Sequence, residues 1–268
     1  MNMKNRSVLD YAFSVGRIRA LERFLIRQEV FEEAVKSDLS QALRLFTESD
    51  LHTADMLHVK NSEELEIILN KEMEKLKSLI RGLLLDDKLR DFIDISDVKN
   101  IYDACNDFGD EFLKDYAYYF VDMNNIKTFL RFYILKEPIE RLEEELLREG
   151  FIPKKDFLKL YTQDIMALLQ RLEYIHVHKR AADYTYYLGD AIQRAIKENS
   201  FVYLEKAIND FLISILKPAK YVTFGPVPVI AYYFAKVNEL NLIRMIILAK
   251  LNAVSEDLVN SRLNAVYA

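Results

Sequence analysis

Apolar residues recur at intervals of three and four along almost the whole chain, and strict apolar/polar alternation is nowhere sustained. Intervals of three and four put side chains on one face of an α-helix, whereas alternation marks a half-buried strand, so the pattern predicts an all-α protein. Only 6 Gly and 5 Pro interrupt 268 residues, as expected of helices joined by short breaks. The clearest stripe is Leu65, Leu69, Met73, Leu76, Ile80 and Leu83, a narrow seam suited to packing on one neighbouring helix. Ser62 is placed to cap that helix, and Glu63 and Glu64 set negative charge against the positive end of its dipole. Upstream, VFEEAVKSDLSQALRLFTESD predicts two short helices, with Ser37 or Asp38 capping the second. Pro138 and Gly150 bracket another helix, proline near its start and glycine just past its end. IPKKDFLKLYTQDIMALLQRLEY then opens a further helical pair.

A repeat is written over this periodicity. The C-terminal FGPVPVIAYYFAKVNELNLIRMIILAKLNAVSEDLVNSRL is echoed by YYFVDMNNIKTFLRFYILK at 118–136 and, more loosely, by YAFSVGRIRALERFLI at 11–26. Setting Lys127 on Arg244 brings Asp122 onto Glu239, Asn124 onto Asn241 and Ile126 onto Ile243, and Arg19 takes the place of the base in the N-terminal copy. Helical geometry puts Tyr11, Val15 and Arg19 on one stripe, Tyr119, Met123 and Lys127 on another, and Tyr233, Val237, Leu240 and Arg244 on a third. Each copy therefore carries one base on an otherwise apolar stripe. Such a base either lies at the stripe edge with its methylenes buried, paired with a neighbour such as Glu239 or Asp122, or faces a space common to all three copies.

ACNDFGDEFLK at 104–114 also matches AINDFLISILK at 207–217, and each precedes a base-bearing helix. The last two base-bearing helices lie further apart than these tracts do, and the extra residues correspond to YVTFGPVPV. Its two prolines forbid a helix interior, which predicts an extended strap over 221–228 with Pro228 in the first turn of the final helix. The segments VFEEAV, FIPKKDF and AVSEDLV that follow the base-bearing helices rhyme as well. Together these features predict helical repeats at 1–61, 62–151 and 152–268.

Composition narrows the function classes. A hydrophobic content of 51% suffices for a sizeable core, and a net charge of −5 argues against a nucleic-acid partner, since no basic face gathers the charge needed to displace phosphate counterions. Cys105 stands alone, which rules out an intrachain disulfide or a cysteine metal site and suits a reducing cytosol. The N-terminal MNMKNRSVLDYAF lacks the apolar run of an export signal. The longest apolar run, 224–235, contains two prolines and falls short of the roughly 18 residues a spanning helix needs. Membrane contact is thus expected through a partner.

Candidate chemistry is sparse. His176 and His178 lie two apart, on different sides of a helix, and so do not make a joint metal site. His52 and His58 sit in a polar break without evident ligand partners. DDKLRDFIDISD lacks the glycine and terminal glutamate of a calcium loop, and no phosphate loop, dinucleotide turn or histidine-glutamate zinc motif is present. No cofactor, metal or catalytic residue is therefore expected. Two other readings remain open, a helical enzyme using His176 or His178 with Asp183 and a helical-repeat adaptor. The 16 Tyr and 16 Phe suit core edges and interfaces alike, with core as the default.

YAFSVGRIRALERFLI, NNIKTFLRF, GPVPVIAYYFAKVNELNLIRMIILAKLN and SEDLVNSRL, in this order along the chain, resemble the C subunit of archaeal and bacterial V/A-type ATPases, related to the vacuolar d subunit. The chain is lean between Asp50 and Lys99 for that family. The resemblance implies three similar helical domains around a pseudo-threefold axis, forming a funnel on the cytoplasmic face of a membrane proteolipid ring. It implies a non-catalytic rotor part, peripheral to the membrane, that receives the D and F subunits of the central stalk and transmits torque. Arg19, Lys127 and Arg244 are then candidates for a polar socket that holds the stalk.

Overall fold

The computed structural model describes residues 8–48, 54–94, 109–179 and 181–268. Every regular element among them is helical, which makes the protein all-α as the periodicity predicts. The chain divides into two compact units: Met1–Asp94 with Ile213–Ala268, and Ile95–Leu212. The boundary falls inside one helix, Val202–Leu216.

In the first unit, helices α1 (Ala12–Glu22), α2 (Gln28–Lys36), α3 (Leu39–Thr47), α4 (Ser62–Leu83) and α5 (Asp87–Asp94) come from the N-terminal half. The first four pack on a helix far away in sequence, α12 (Val227–Leu251), and α5 packs on α4. The seam of α4 is buried at Leu65, Leu69, Leu76, Ile80 and Leu83 and packs mainly on α12. Each such side chain contributes about 1.5–3 kcal/mol by leaving water. The first turns of α12 are buried on all sides, from Val227 to Tyr232, as befits a helix running through a core.

The caps follow side-chain reach. Asp38 caps α3 by accepting from the Gln41 amide at 2.8 Å. At α4, Asn61 takes the capping place expected of Ser62, accepting from the Glu64 amide at 2.9 Å, while the Glu64 carboxylate accepts from the Lys60 amide at 2.8 Å. Ser62 itself is the first helical residue. The acid-rich DDKLRDFIDISD forms α5 over its described part, and its last residues, like His52 and Cys105, lie outside the described residues.

The second unit is built on α6 (Glu111–Leu135), followed by α7 (Ile139–Glu145), α8 (Lys154–Tyr161), α9 (Ile165–Lys179) and α10 (Tyr184–Glu198). Most of α11 (Val202–Leu216) belongs to it too. Aromatic rings make much of its core: Tyr119 lies 4.9 Å from Phe151 and 5.3 Å from Phe211, and Phe129 lies 5.8 Å from Tyr161, centroid to centroid. Tyr186, by contrast, is 80% exposed.

Gly150 does not end the helix that begins after Pro138, because α7 stops at Glu145 with Leu146 as its C-cap. Its lack of a side chain serves a close approach instead. A Cβ there would stand 2.3 Å from Asp122 Oδ1 and 2.7 Å from the Tyr118 carbonyl. Gly150→Ala is accordingly expected to cost about 1–3 kcal/mol, read as a lower midpoint in urea unfolding.

A 3₁₀ turn, Lys217–Tyr221, leads to α12, and α13 (Glu256–Arg262) follows. The non-helical connection is 222–226, shorter than the expected strap, because Tyr221 ends the 3₁₀ turn and Val227 and Pro228 are already helical. Proline fits there because the first-turn amide it lacks would have no helical partner.

Candidate functional site

The three bases singled out by the repeat each meet a glutamate. Arg19 on α1 holds Glu22 through Nη1, at 2.7 Å from both carboxylate oxygens, and donates through Nη2 to the carbonyls of Ala219 at 2.8 Å and Val222 at 2.7 Å. Lys127 on α6 lies 2.9 Å from Glu205 on α11. Arg244 on α12 donates through Nε to Glu66 on α4 at 2.9 Å and through Nη1 to Asn241 at 3.0 Å. Asp122 and Glu239, the acids that the sequence offered as partners, are not the ones these bases use. Within the first unit, Arg19 and Arg244 sit in separate networks. Their side chains, 28% and 30% exposed, and that of Lys127, 34% exposed, keep an edge in water.

Arg19 is more than a surface charge, because its planar fork matches two carbonyls and a carboxylate at once. It fastens the connection into α12 to α1, next to Tyr267, whose hydroxyl donates to Glu22 at 3.3 Å and whose ring lies 4.8 Å from the Lys220 ammonium. Lys127 and Arg244 make pairs of the exposed kind, which contribute about 0.2–1 kcal/mol each. Arg19→Ala should therefore lower thermal stability of the isolated chain by about 1–3 kcal/mol, and Lys127→Ala by less than about 1.

Five places before each base lies a buried polar residue, Ser14, Asp122 or Glu239; sequence reasoning missed Ser14 and gave the two acids the wrong partners. Ser14 donates to the Leu83 carbonyl at 2.8 Å. Asp122 accepts from the Phe151 amide at 3.0 Å, the Ile152 amide at 3.2 Å and the Tyr184 hydroxyl at 2.7 Å. Glu239 accepts from the Ile26 amide at 2.8 Å and pairs with the buried Lys236. Phe151 and Ile152 run into α8, and Ile26 runs into α2, so both acids hold a chain entering a helix. The signal was there in the repeat, as an acid interrupting an apolar stripe at a fixed distance from the base.

Eight places before the base, Tyr11 and Tyr119 also act alike. Tyr11 accepts from the Leu85 amide at 3.1 Å, just before α5, and Tyr119 from the Ala182 amide at 3.1 Å, just before α10. Burial pushes the hydroxyls of Tyr11, Tyr184 and Tyr267 well up, and neighbouring carboxylates push them further: Asp86, Asp122 and Glu22 respectively. A raised folded-state value keeps these groups protonated where the unfolded chain has released its protons. Their contribution is thus whole below the ordinary value of 10.0 and lost as pH climbs above it. The melting temperature should fall steeply in that alkaline window, and Tyr184→Phe should flatten the fall, as read by thermal melts across pH with tyrosinate absorbance.

Of the residues named for an enzymatic role, His176 places Nδ1 2.8 Å from the Ala181 carbonyl and Asp183 caps α10 by accepting from the Tyr186 amide at 2.9 Å. The side chain of His178 lies outside the described residues. Among the described residues no group of three or more His, Cys, Asp or Glu is arranged to hold a metal ion, and no helix is long and apolar enough to cross a membrane.

The profile of the ATP synthase (C/AC39) subunit family matches residues 96–262. The C subunit of the V-type sodium ATPase of Enterococcus hirae is 27% identical over 148 residues, which make up 55% of this chain and 42% of that relative. The match thus spans less than half of the relative's length. The matched region takes in the second and third base-bearing helices with their buried acids Asp122 and Glu239, and α13, while the N-terminal copy of the repeat lies outside it; covering more than half of the chain, the match shows that this chain belongs to the ATP synthase (C/AC39) subunit family.

Proposed function

We propose that this chain is a non-catalytic rotor subunit of a V/A-type rotary ATPase or ATP synthase, joining the D and F subunits of the central stalk to the membrane proteolipid ring and transmitting torque between them. The observation that carries the reading is family membership over residues 96–262. On this reading the chain sits peripherally on the cytoplasmic face and reaches the bilayer only through the ring. Affinity purification of the tagged chain from membranes is expected to bring down the proteolipid ring and the D–F stalk in fixed ratio. Recovery of neither, together with hydrolysis of a small substrate that depends on His176, would favour the enzymatic alternative.

The repeats at 1–61, 62–151 and 152–268 are three related helical domains set as a funnel about a pseudo-threefold axis. Support comes from the matching places of Ser14, Asp122 and Glu239 and of Tyr11 and Tyr119 within their own neighbourhoods. Superposing the helices that carry Arg19, Lys127 and Arg244 should bring the following helices into register, and unrelated orientations would rule the repeat out.

Arg19, Lys127 and Arg244 form the polar socket for the stalk. Partly exposed charges orient a partner and fix its register, and those of Lys127 and Arg244 add little to folding. Replacing all three with alanine is expected to weaken stalk binding and flatten its salt dependence. An unchanged salt dependence, with thermal stability lost in the isolated chain, would assign them to internal packing instead. Because Arg19 also holds the connection into α12, the Lys127→Ala/Arg244→Ala pair separates the two effects.

A further inference from the structure

The last three turns of α12 carry a stripe that no described element of the first unit covers. Asn241, Met245, Leu248 and Asn252 step by four, three and four, polar at the ends and apolar between, and line a cavity of about 540 Å³ with Leu258, Val259 and Arg262 of α13. That spacing is the seam one helix presents to another. Leu258 is 45% exposed, although it stands on an apolar floor.

Charge marks what would lie there. Arg244 and Arg262 stand on the rim, and no Asp or Glu lines the groove, in a chain whose net charge is −5. Arg244 engages Glu66 through Nε and Asn241 through Nη1, which leaves Nη2 as a further donor, and Arg262 forms no ion pair among the described residues. A guanidinium with unused donors at the edge of an apolar floor fits a carboxylate held on an apolar surface.

We propose that the groove between α12 and α13 docks an amphipathic helix of a partner protein, with aliphatic side chains seated on Met245, Leu248 and Leu258 and a carboxylate on Arg262. The stripe spans about three helical turns, which sets the length of the docked segment. The proposal rests on the chain working inside a multi-subunit complex and assigns one surface of it.

The test places a photo-reactive benzoylphenylalanine at Leu258 in the full chain, inside cells that build the complex, followed by irradiation and purification through the ring. The expected adduct is a single partner peptide with aliphatic residues at helical spacing and an Asp or Glu among them. Arg262→Glu should lower its yield about tenfold, and changing that acid to Arg in the partner should restore it. Because Arg262 is exposed, its variant should melt like the parent chain. An adduct to a second copy of this chain, to lipid or to the proteolipid, an adduct indifferent to Arg262→Glu, or no adduct in a complex that still co-purifies would each overturn the groove assignment. Failure of the chain to co-purify at all would overturn the rotor reading instead.

Discussion

Replacing Asp122 with alanine is expected to destabilise the unit around α6 by about 3–5 kcal/mol, the largest loss for any one carboxylate there. Asp122 is fully buried and accepts from the Phe151 amide, the Ile152 amide and the Tyr184 hydroxyl. Its removal leaves two backbone donors and a phenol in apolar surroundings, and each unsatisfied group costs about 1–3 kcal/mol, less than additively. Asp122→Asn retains one acceptor oxygen and should lose about half as much. Urea unfolding gives the size of the effect, and hydrogen exchange gives its place: the amides of 151 and 152 should lose protection before those of α6 do. A change below about 1 kcal/mol would mean that water reaches these donors and that the clasp contributes little.

Glu239→Ala should cost the other unit a comparable amount, about 3–5 kcal/mol, for a related reason. Lys236 is 6% exposed and Glu239 3%, so the variant takes a carboxylate partner away from a buried ammonium and leaves the Ile26 amide without its acceptor. A buried ion pair contributes less than its loss suggests, because desolvating both charges offsets most of their attraction. The double variant Lys236→Met/Glu239→Leu should therefore recover most of the stability lost by Glu239→Ala alone. A double-mutant cycle in thermal unfolding measures this directly. If the double variant were as unstable as the single one, the Ile26 amide would be the dominant part, and Glu239→Gln, which can still accept, would then restore it.

Much of the local architecture is legible in the sequence. The α4 seam from Leu65 to Leu83 is buried as its spacing predicts, save for the partly exposed Met73, and the two short helices before it meet at the cap expected from Asp38. Pro228 opens α12 for the same kind of reason. Each rests on interactions within about four residues, where the order of side chains fixes the geometry. Ser62 and Asn61 differ by one place because either can reach an open amide, and only the backbone angles at the helix start choose between them.

The repeat identified which residues matter without giving their roles. Periodicity put Arg19, Lys127 and Arg244 at equivalent places, and their partners Glu22, Glu205 and Glu66 range from the same helix to one far away in sequence. Asp122 and Glu239 suggested themselves as partners for the bases, since opposite charges close in sequence attract. Tertiary structure gave them backbone amides instead, because burial makes an unsatisfied amide costlier than a half-exposed ion pair is worth. Gly150 is the sharpest instance: in sequence it ends a helix, and in the fold it is the one residue small enough to pass against Asp122 and the Tyr118 carbonyl. A sequence determines helices because their hydrogen bonds are local; which carbonyl, amide or carboxylate a helix then meets is decided by packing across tens to hundreds of residues, where no short pattern reaches.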